Sequence, residues 1–179
     1  MRPTLGLALA LGVLGATLVA PGSPAAAQTF TFEDPDLPAP EVIDGDTFRV
    51  GETVFTLWGV DAPEAEQMCP SDTEGLWFTA GEAAIEILDA FVRNLGSCNV
   101  MDVDQYGRTV ARCYSHTAEG SDIEIGPVLV YMGLAVDVPE YSGGLFAQIQ
   151  VDAEEQQVGM WAEGIYCDTP AEWRRRQAG

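Results

Sequence analysis

Val42-Ile43-Asp44-Gly45-Asp46-Thr47, followed by Leu57-Trp58-Gly59-Val60-Asp61-Ala62-Pro63-Glu64, are the stretches around which the chain organises. Thr47-Phe48-Arg49-Val50 and Thr53 to Val60 are β-branched and aromatic runs, and Gly51-Glu52 between them is short enough for a hairpin connection. Asp44-Gly45-Asp46-Thr47 opens one strand, and Asp61-Ala62-Pro63-Glu64 follows the end of another. Carboxylates held at strand ends can converge on a hard cation such as calcium, which takes oxygen ligands. Singly, Asp-Gly and Asp-Ala-Pro are ordinary turn chemistry; it is their pairing that singles them out.

Downstream, Ala84, Ile87, Leu88, Phe91 and Leu95 form the stripe of an amphipathic helix within Glu74 to Leu95, stopped by Gly96. Cys98 to Asp104 and Arg108 to Tyr114 read as two strands around the turn Gln105-Tyr106-Gly107. Thr117 to Ser121 is a polar loop, Pro127 to Leu134 a short helix, and Phe146 to Trp161 a longer one. Strands first, with helices interleaved and last, predict an α+β fold. If the two strands pair symmetrically about their turn, Cys98 and Cys113 face one another at a distance a disulfide spans. Cys69 and Cys167 then pair by elimination, and an even cysteine count in an exported chain suits disulfides better than a metal site.

Export is read from the first residues: Met1-Arg2-Pro3, the apolar run Leu5 to Ala20 and Ala25-Ala26-Ala27 have the layout of a secretory signal peptide. The expected organisation is a signal over residues 1–27, a flexible leader over 28–40, one domain over 41–166 and a C-terminal tail over 167–179. The mature protein is then periplasmic or secreted, a monomer, and away from the membrane once the signal is cleaved. With 28 acidic against 8 basic residues and no lysine, the net charge is −20. Such a surface repels a polyanion at long range, an effect that salt screens.

The three stretches Val42 to Thr47, Leu57 to Glu64 and Asp104-Gln105-Tyr106-Gly107-Arg108-Thr109-Val110-Ala111 together resemble the staphylococcal nuclease (thermonuclease) family, in its order and at similar intervals. Val130 to Ala135 and Gly159-Met160-Trp161 look like its closing helices. The resemblance covers nearly all of residues 41–161 and implies a five-stranded β-barrel of the oligonucleotide-binding type with three packed α-helices. The activity it implies is calcium-dependent hydrolysis of phosphodiester bonds in single-stranded or denatured DNA and RNA, with little sequence preference. Asp46 and Asp61 match the Ca2+-binding carboxylates, and the main-chain carbonyl of Ala62 takes the place of a further ligand. Glu64 matches the residue that activates or positions the attacking water. Arg108 matches one of two arginines that hold the phosphate, and Tyr106 a tyrosine beside it.

The family's other phosphate-holding arginine stands eight residues before the glutamate, where this chain has Thr56. A hydroxyl supplies neither the charge nor the bidentate fork of a guanidinium. Gln105 also replaces a residue that is usually basic. Arg49 and Arg112 read as solvated strand residues, His116 as a surface residue, and Trp58, Trp77 and Trp161 as packing residues. The cluster Trp173-Arg174-Arg175-Arg176 is within the range of phosphate chemistry, but a basic tail offsetting local acid is the default expectation. Two readings stay open: a calcium-dependent nuclease weakened at Thr56, and a catalytically impaired nuclease-like module with a binding or structural role.

Overall fold

The computed structural model describes residues 28–179; the expected signal peptide lies outside the described residues. In chain order the elements are β1 (Thr29–Thr31), β2 (Glu41–Val42), β3 (Thr47–Val50), β4 (Thr53–Leu57), β5 (Val60–Asp61), β6 (Met68–Pro70), β7 (Trp77–Thr79), α1 (Ala80–Val92), β8 (Leu95–Val103), β9 (Thr109–His116), β10 (Asp122–Glu124), α2 (Ile125–Tyr131), β11 (Val136–Asp137), α3 (Pro139–Ser142), α4 (Ala147–Glu155) and α5 (Pro170–Gln177). The class is α+β. Seven strands share the main sheet, in the order β1-β8-β9-β4-β3-β2 with β10 also on β9, where five strands were expected. Among the described residues five α-helices occur rather than three, α3 being a single turn. None of them is long and apolar enough to cross a membrane.

The alternation in the quoted stretch does what it predicts. Phe48 and Phe55 point into the core, face each other across the β3–β4 hairpin and stack at 5.3 Å, while Arg49 turns out to pair with Glu41. Leu88 and Val92 of α1, Ile125 and Leu129 of α2, and Ala111 of β9 close this core. Each fully buried large apolar side chain stabilises the fold by about 1.5–3 kcal/mol.

Several boundaries depart from expectation. The leader is not loose at its start: β1 pairs with Asn99, Cys98 and Ser97 of β8, and Phe30 and Phe32 set their edges against Phe55 at 5.2 and 5.8 Å. Aromatic side chains that find an apolar partner override a Pro- and acid-rich composition. The helix expected from Glu74 begins only at Ala80, because Trp77–Thr79 pairs with Met68–Pro70, and Leu95 belongs to β8. Trp77, expected to pack, is exposed. The long helix expected to end at Trp161 breaks after Glu155, where Gln157 and Gly159 adopt positive φ, and resumes as a 3-10 turn over Gly159–Trp161.

Both disulfides form as expected. Cys98 and Cys113 are direct cross-strand partners with Cα atoms 4.1 Å apart, and Cys69 joins Cys167 across 98 residues. Paired thiols of this kind fit an oxidising compartment. The tail is an ordered helix: α5 carries a capping box between Thr169 and Glu172, with Pro170 buried at its first turn. Gln67 Nε2 donates to the Asp168 carbonyl at 2.8 Å, so the Cys69 region and the C-terminal segment are joined twice.

Loop-closure entropy ranks the two bridges. Replacing Cys69 and Cys167 by Ala is expected to cost about 4–5 kcal/mol, against about 3 kcal/mol for the Cys98/Cys113 pair, whose separation is 15 residues. Urea denaturation of the two double variants checks the order; a larger loss from the hairpin bridge would refute it.

Candidate functional site

The two acid-bearing turns are pressed together by α1. A Cβ on Gly45 would lie 2.7 Å from Cβ of Ala84 and 2.8 Å from Cβ of Ala62, and one on Gly81 would lie 1.9 Å from the Glu64 carbonyl oxygen. Only glycine permits such approach. Each turn also closes on itself: the amides of Ile43 and Asp44 donate to the Thr47 carbonyl, Asp46 N donates to Asp44 Oδ1 at 3.1 Å, and Gln67 N donates to the Glu64 carbonyl at 2.8 Å. The Gly81 amide then donates to the Gln67 carbonyl at 3.2 Å. The N-terminal part of α1, through Gly81 and Ala84, thus lies under the Gly45 and Glu64 turns.

Asp46 spans the two turns. Its Oδ1 accepts from Thr47 Oγ1 at 2.8 Å and its Oδ2 from the Ala62 amide at 3.0 Å. Burial, helped by the negative charges of Asp44 and Asp61, pushes its carboxyl up to about 7 against those two hydrogen bonds. Asp61 is fixed by the pairing of β5 with β11, opposite Val136. Thr56 is buried, and its hydroxyl reaches only Thr47 Oγ1, at 3.5 Å.

The third motif closes a tight hairpin end. Asp104 accepts from the amides of Tyr106 and Arg108, both at 2.9 Å, and its Oδ2 takes Arg108 Nε at 2.6 Å. Burial opposes the Arg108 charge, but the Asp104 contact outweighs it, with the nearby Asp46 and Asp44 carboxylates adding to the same effect, and the guanidinium is held more firmly protonated. The structure therefore brings Arg108 into the field of the first motif. Tyr106 stands out into solvent with the Arg108 guanidinium 5.6 Å from its ring centroid.

One further side chain reaches this site from the basic cluster at the C-terminus. Arg174 of α5 places Nη1 3.0 Å from Asp61 Oδ1 and 2.6 Å from Glu64 Oε1, and Nη2 2.7 Å from Asp61 Oδ2. The default expectation of a solvated basic tail is corrected here for Arg174. The signal was present: Thr169-Pro170-Ala171-Glu172 is a capping-box sequence with Pro at the first helical position, and it predicts an ordered helix just before the basic cluster. Nothing in the sequence said where that helix docks. Arg112, by contrast, is committed elsewhere, bound to both carboxylate oxygens of Glu124 and lying over the Trp58 ring. His116 pairs with Asp122 at the surface.

Among the described residues no group of three or more His, Cys, Asp or Glu side chains gathers as a metal cluster. The oxygens at hand are the carboxylates of Asp46 and Asp61 and the main-chain carbonyl of Ala62. They fit a hard cation by their chemistry. All are oxygen donors, the Asp46 carboxyl is raised by burial and by the neighbouring Asp44 and Asp61 charges that a cation would offset, and each Asp61 oxygen keeps a second lone pair beside its Arg174 contact.

The family model described as staphylococcal nuclease homologue matches residues 54–163. The succinoglycan biosynthesis protein ExoI of Rhizobium meliloti (strain 1021) is 34% identical over 130 residues, covering 72% of this chain. The chain spans 65% of that relative's length.

The packing predicts two effects. Gly81→Ala is expected to lower stability by roughly 1–3 kcal/mol, since the Glu64 carbonyl must move to admit a methyl group; an unchanged urea midpoint would contradict it. In chelator, Asp46→Asn is expected to melt higher than the parent at pH 8 and no higher at pH 4. A carboxyl whose pKa rises from 3.8 to about 7 on folding costs nothing while protonated in both states and destabilises the fold increasingly as pH climbs through that interval. Melting curves that keep a constant separation across that range would refute the assignment.

Proposed function

The chain belongs to the staphylococcal nuclease family, and on that premise we propose that it is an exported, calcium-dependent nuclease that hydrolyses phosphodiester bonds of single-stranded or denatured DNA and RNA. The observation that carries the proposal is the gathering of two carboxylate turns on the floor of α1 with Arg108 in their field. For the finer architecture we propose that the main sheet closes into the family's barrel, a reading supported by the parallel pairing of β4 with β9 that links the hairpins. The whole protein's substrates are part of the same proposal. The relative's printed role in succinoglycan biosynthesis is a property of that relative.

In this reading Asp46, Asp61 and the Ala62 carbonyl hold Ca2+, which when bound supplies Lewis-acid polarisation of the phosphoryl oxygen. Glu64 orients the attacking water and takes its proton, a role that needs a carboxylate on a fixed backbone. Gly81 and the Gln67 turn provide that fixity. Arg108 offsets the charge that builds on the phosphate, oriented by its Asp104 contact. Tyr106, exposed beside Arg108, lies against the same phosphate.

The alternative, a nuclease-like module without catalysis, draws on the buried Thr56 and on the ion pair between Arg174 and Glu64. The deciding experiment is hydrolysis of denatured DNA by the oxidised chain from Gln28 onward, with Ca2+ or chelator, beside Glu64→Gln. The nuclease reading expects activity that needs Ca2+ and falls about a hundredfold or more in the variant. Absence of cleavage in the parent, or cleavage indifferent to both Ca2+ and Glu64, would leave the module as the function.

A further inference from the structure

Arg174 is held like a functional side chain. Its end edge, Nη1 and Nη2, grips Asp61 in bidentate fashion, and the second N–H of Nη1 reaches Glu64. A guanidinium has five N–H donors. Among the described residues the remaining two, on Nε and on the outer side of Nη2, make no hydrogen bond. They lie along one side of the fork, the geometry that matches two oxygens of a phosphate. The side chain is 46% exposed, whereas Asp61 is only 18% exposed beneath it.

The anchoring is not that of a loose tail. Cys167 is bonded to Cys69, Gln67 holds the Asp168 carbonyl, and Thr169 caps the helix that carries Arg174. Gln67 in turn closes the Glu64 turn. The path from the carboxylate turn to the arginine therefore runs through a covalent bond and a side-chain hydrogen bond rather than through solvent. Meanwhile Thr56 is buried and uncharged.

We propose that Arg174 is the second phosphate-holding cation of this site, delivered from the C-terminal helix α5 and taking over the task that Thr56 leaves undone. Asp61 orients the guanidinium through one lone pair of each oxygen, leaving the others for Ca2+, Glu64 does so through Oε1, leaving Oε2 for the water, and the Nε–Nη2 edge receives the phosphate of a nucleic-acid strand. The inference rests on the nuclease reading. It differs from an autoinhibitory plug, in which the guanidinium would have to leave before a nucleotide entered.

The test uses the oxidised chain from Gln28 onward and its Arg174→Ala, Arg174→Lys and Arg175→Ala variants, with Glu64→Gln and Glu64→Gln/Arg174→Ala for binding alone. Cleavage of denatured DNA is measured with Ca2+, and binding of thymidine 3′,5′-bisphosphate with Ca2+ is measured by calorimetry. Arg174→Ala is expected to lose about a hundredfold in turnover and about tenfold or more in bisphosphate affinity. Arg174→Lys keeps the charge without the fork and should recover only part of each loss. Arg175→Ala should match the parent. The affinity loss should persist in the Glu64→Gln background, where a residue acting only through Glu64 would have no effect. Parent-like or improved binding in Arg174→Ala, or an affinity loss confined to the intact-Glu64 background, overturns the inference and leaves the nuclease reading standing. A parent that neither cleaves DNA nor binds the bisphosphate overturns both.

Discussion

The structure turns on a steric constraint, the contact of α1 with two turns at Gly45 and Gly81. Nothing larger than hydrogen fits at either position without moving the Glu64 carbonyl or the Ala62 and Ala84 side chains. Because α1 is also anchored in the core through Ala84, Leu88 and Val92, the hydrophobic stripe and the acid-bearing turns form one rigid body. Like charges can be crowded there because the packing energy of the core, far larger than any single electrostatic term, holds the turns in place. The raised Asp46 carboxyl is the cost of that arrangement.

A second constraint crosses the molecule. Cys69 sits in β6, a few residues beyond Glu64, and its partner lies in the last stretch of the chain. Without that bridge α5 would be an eight-residue helix of polar composition, too short to persist alone. The bridge, the Gln67 contact and the capping box together make its docking affordable in entropy, and the outcome is an arginine set against Asp61 and Glu64. An element that looks dispensable in sequence thus reaches the two carboxylates most central to the site.

What was legible follows from how local each signal is. The β3–β4 hairpin, the outward turn of Arg49 and the Cys98–Cys113 bridge rest on alternation, spacing and turn chemistry, all of which act over a few residues, whereas the Cys69–Cys167 bridge follows only by elimination. The misreadings lie where a distant partner decides. β1 is a strand because Phe55 and β8 await it, and Trp77 pairs as strand because Met68–Pro70 lies opposite. The tight fit at Gly81 was invisible, since in sequence it is one glycine near a helix start. For Arg174 the composition of the basic cluster favours a solvated tail, and the Thr169 cap sequence announces a helix but not the surface it meets.

The charge balance bears on how such a site meets a polyanion. Every arginine among the described residues is matched to a carboxylate: Arg49 to Glu41, Arg93 to Asp89, Arg108 to Asp104, Arg112 to Glu124, Arg174 to Asp61 and Glu64, Arg175 to Glu172 and Arg176 to Asp168. With a net charge of −20 the surface offers no attractive long-range field to nucleic acid. On the nuclease reading, attraction arises at contact distance, from guanidinium edges whose carboxylate partners hold them in place rather than neutralise their remaining donors. Arg108 and Arg174 are both in that state, each fixed by an acid on one side and partly open on the other. On that reading, weak encounter followed by specific local contact disfavours lingering on strands that do not reach the carboxylate turns, and it makes orientation of the arginines, rather than their number, the property the proposed function depends on.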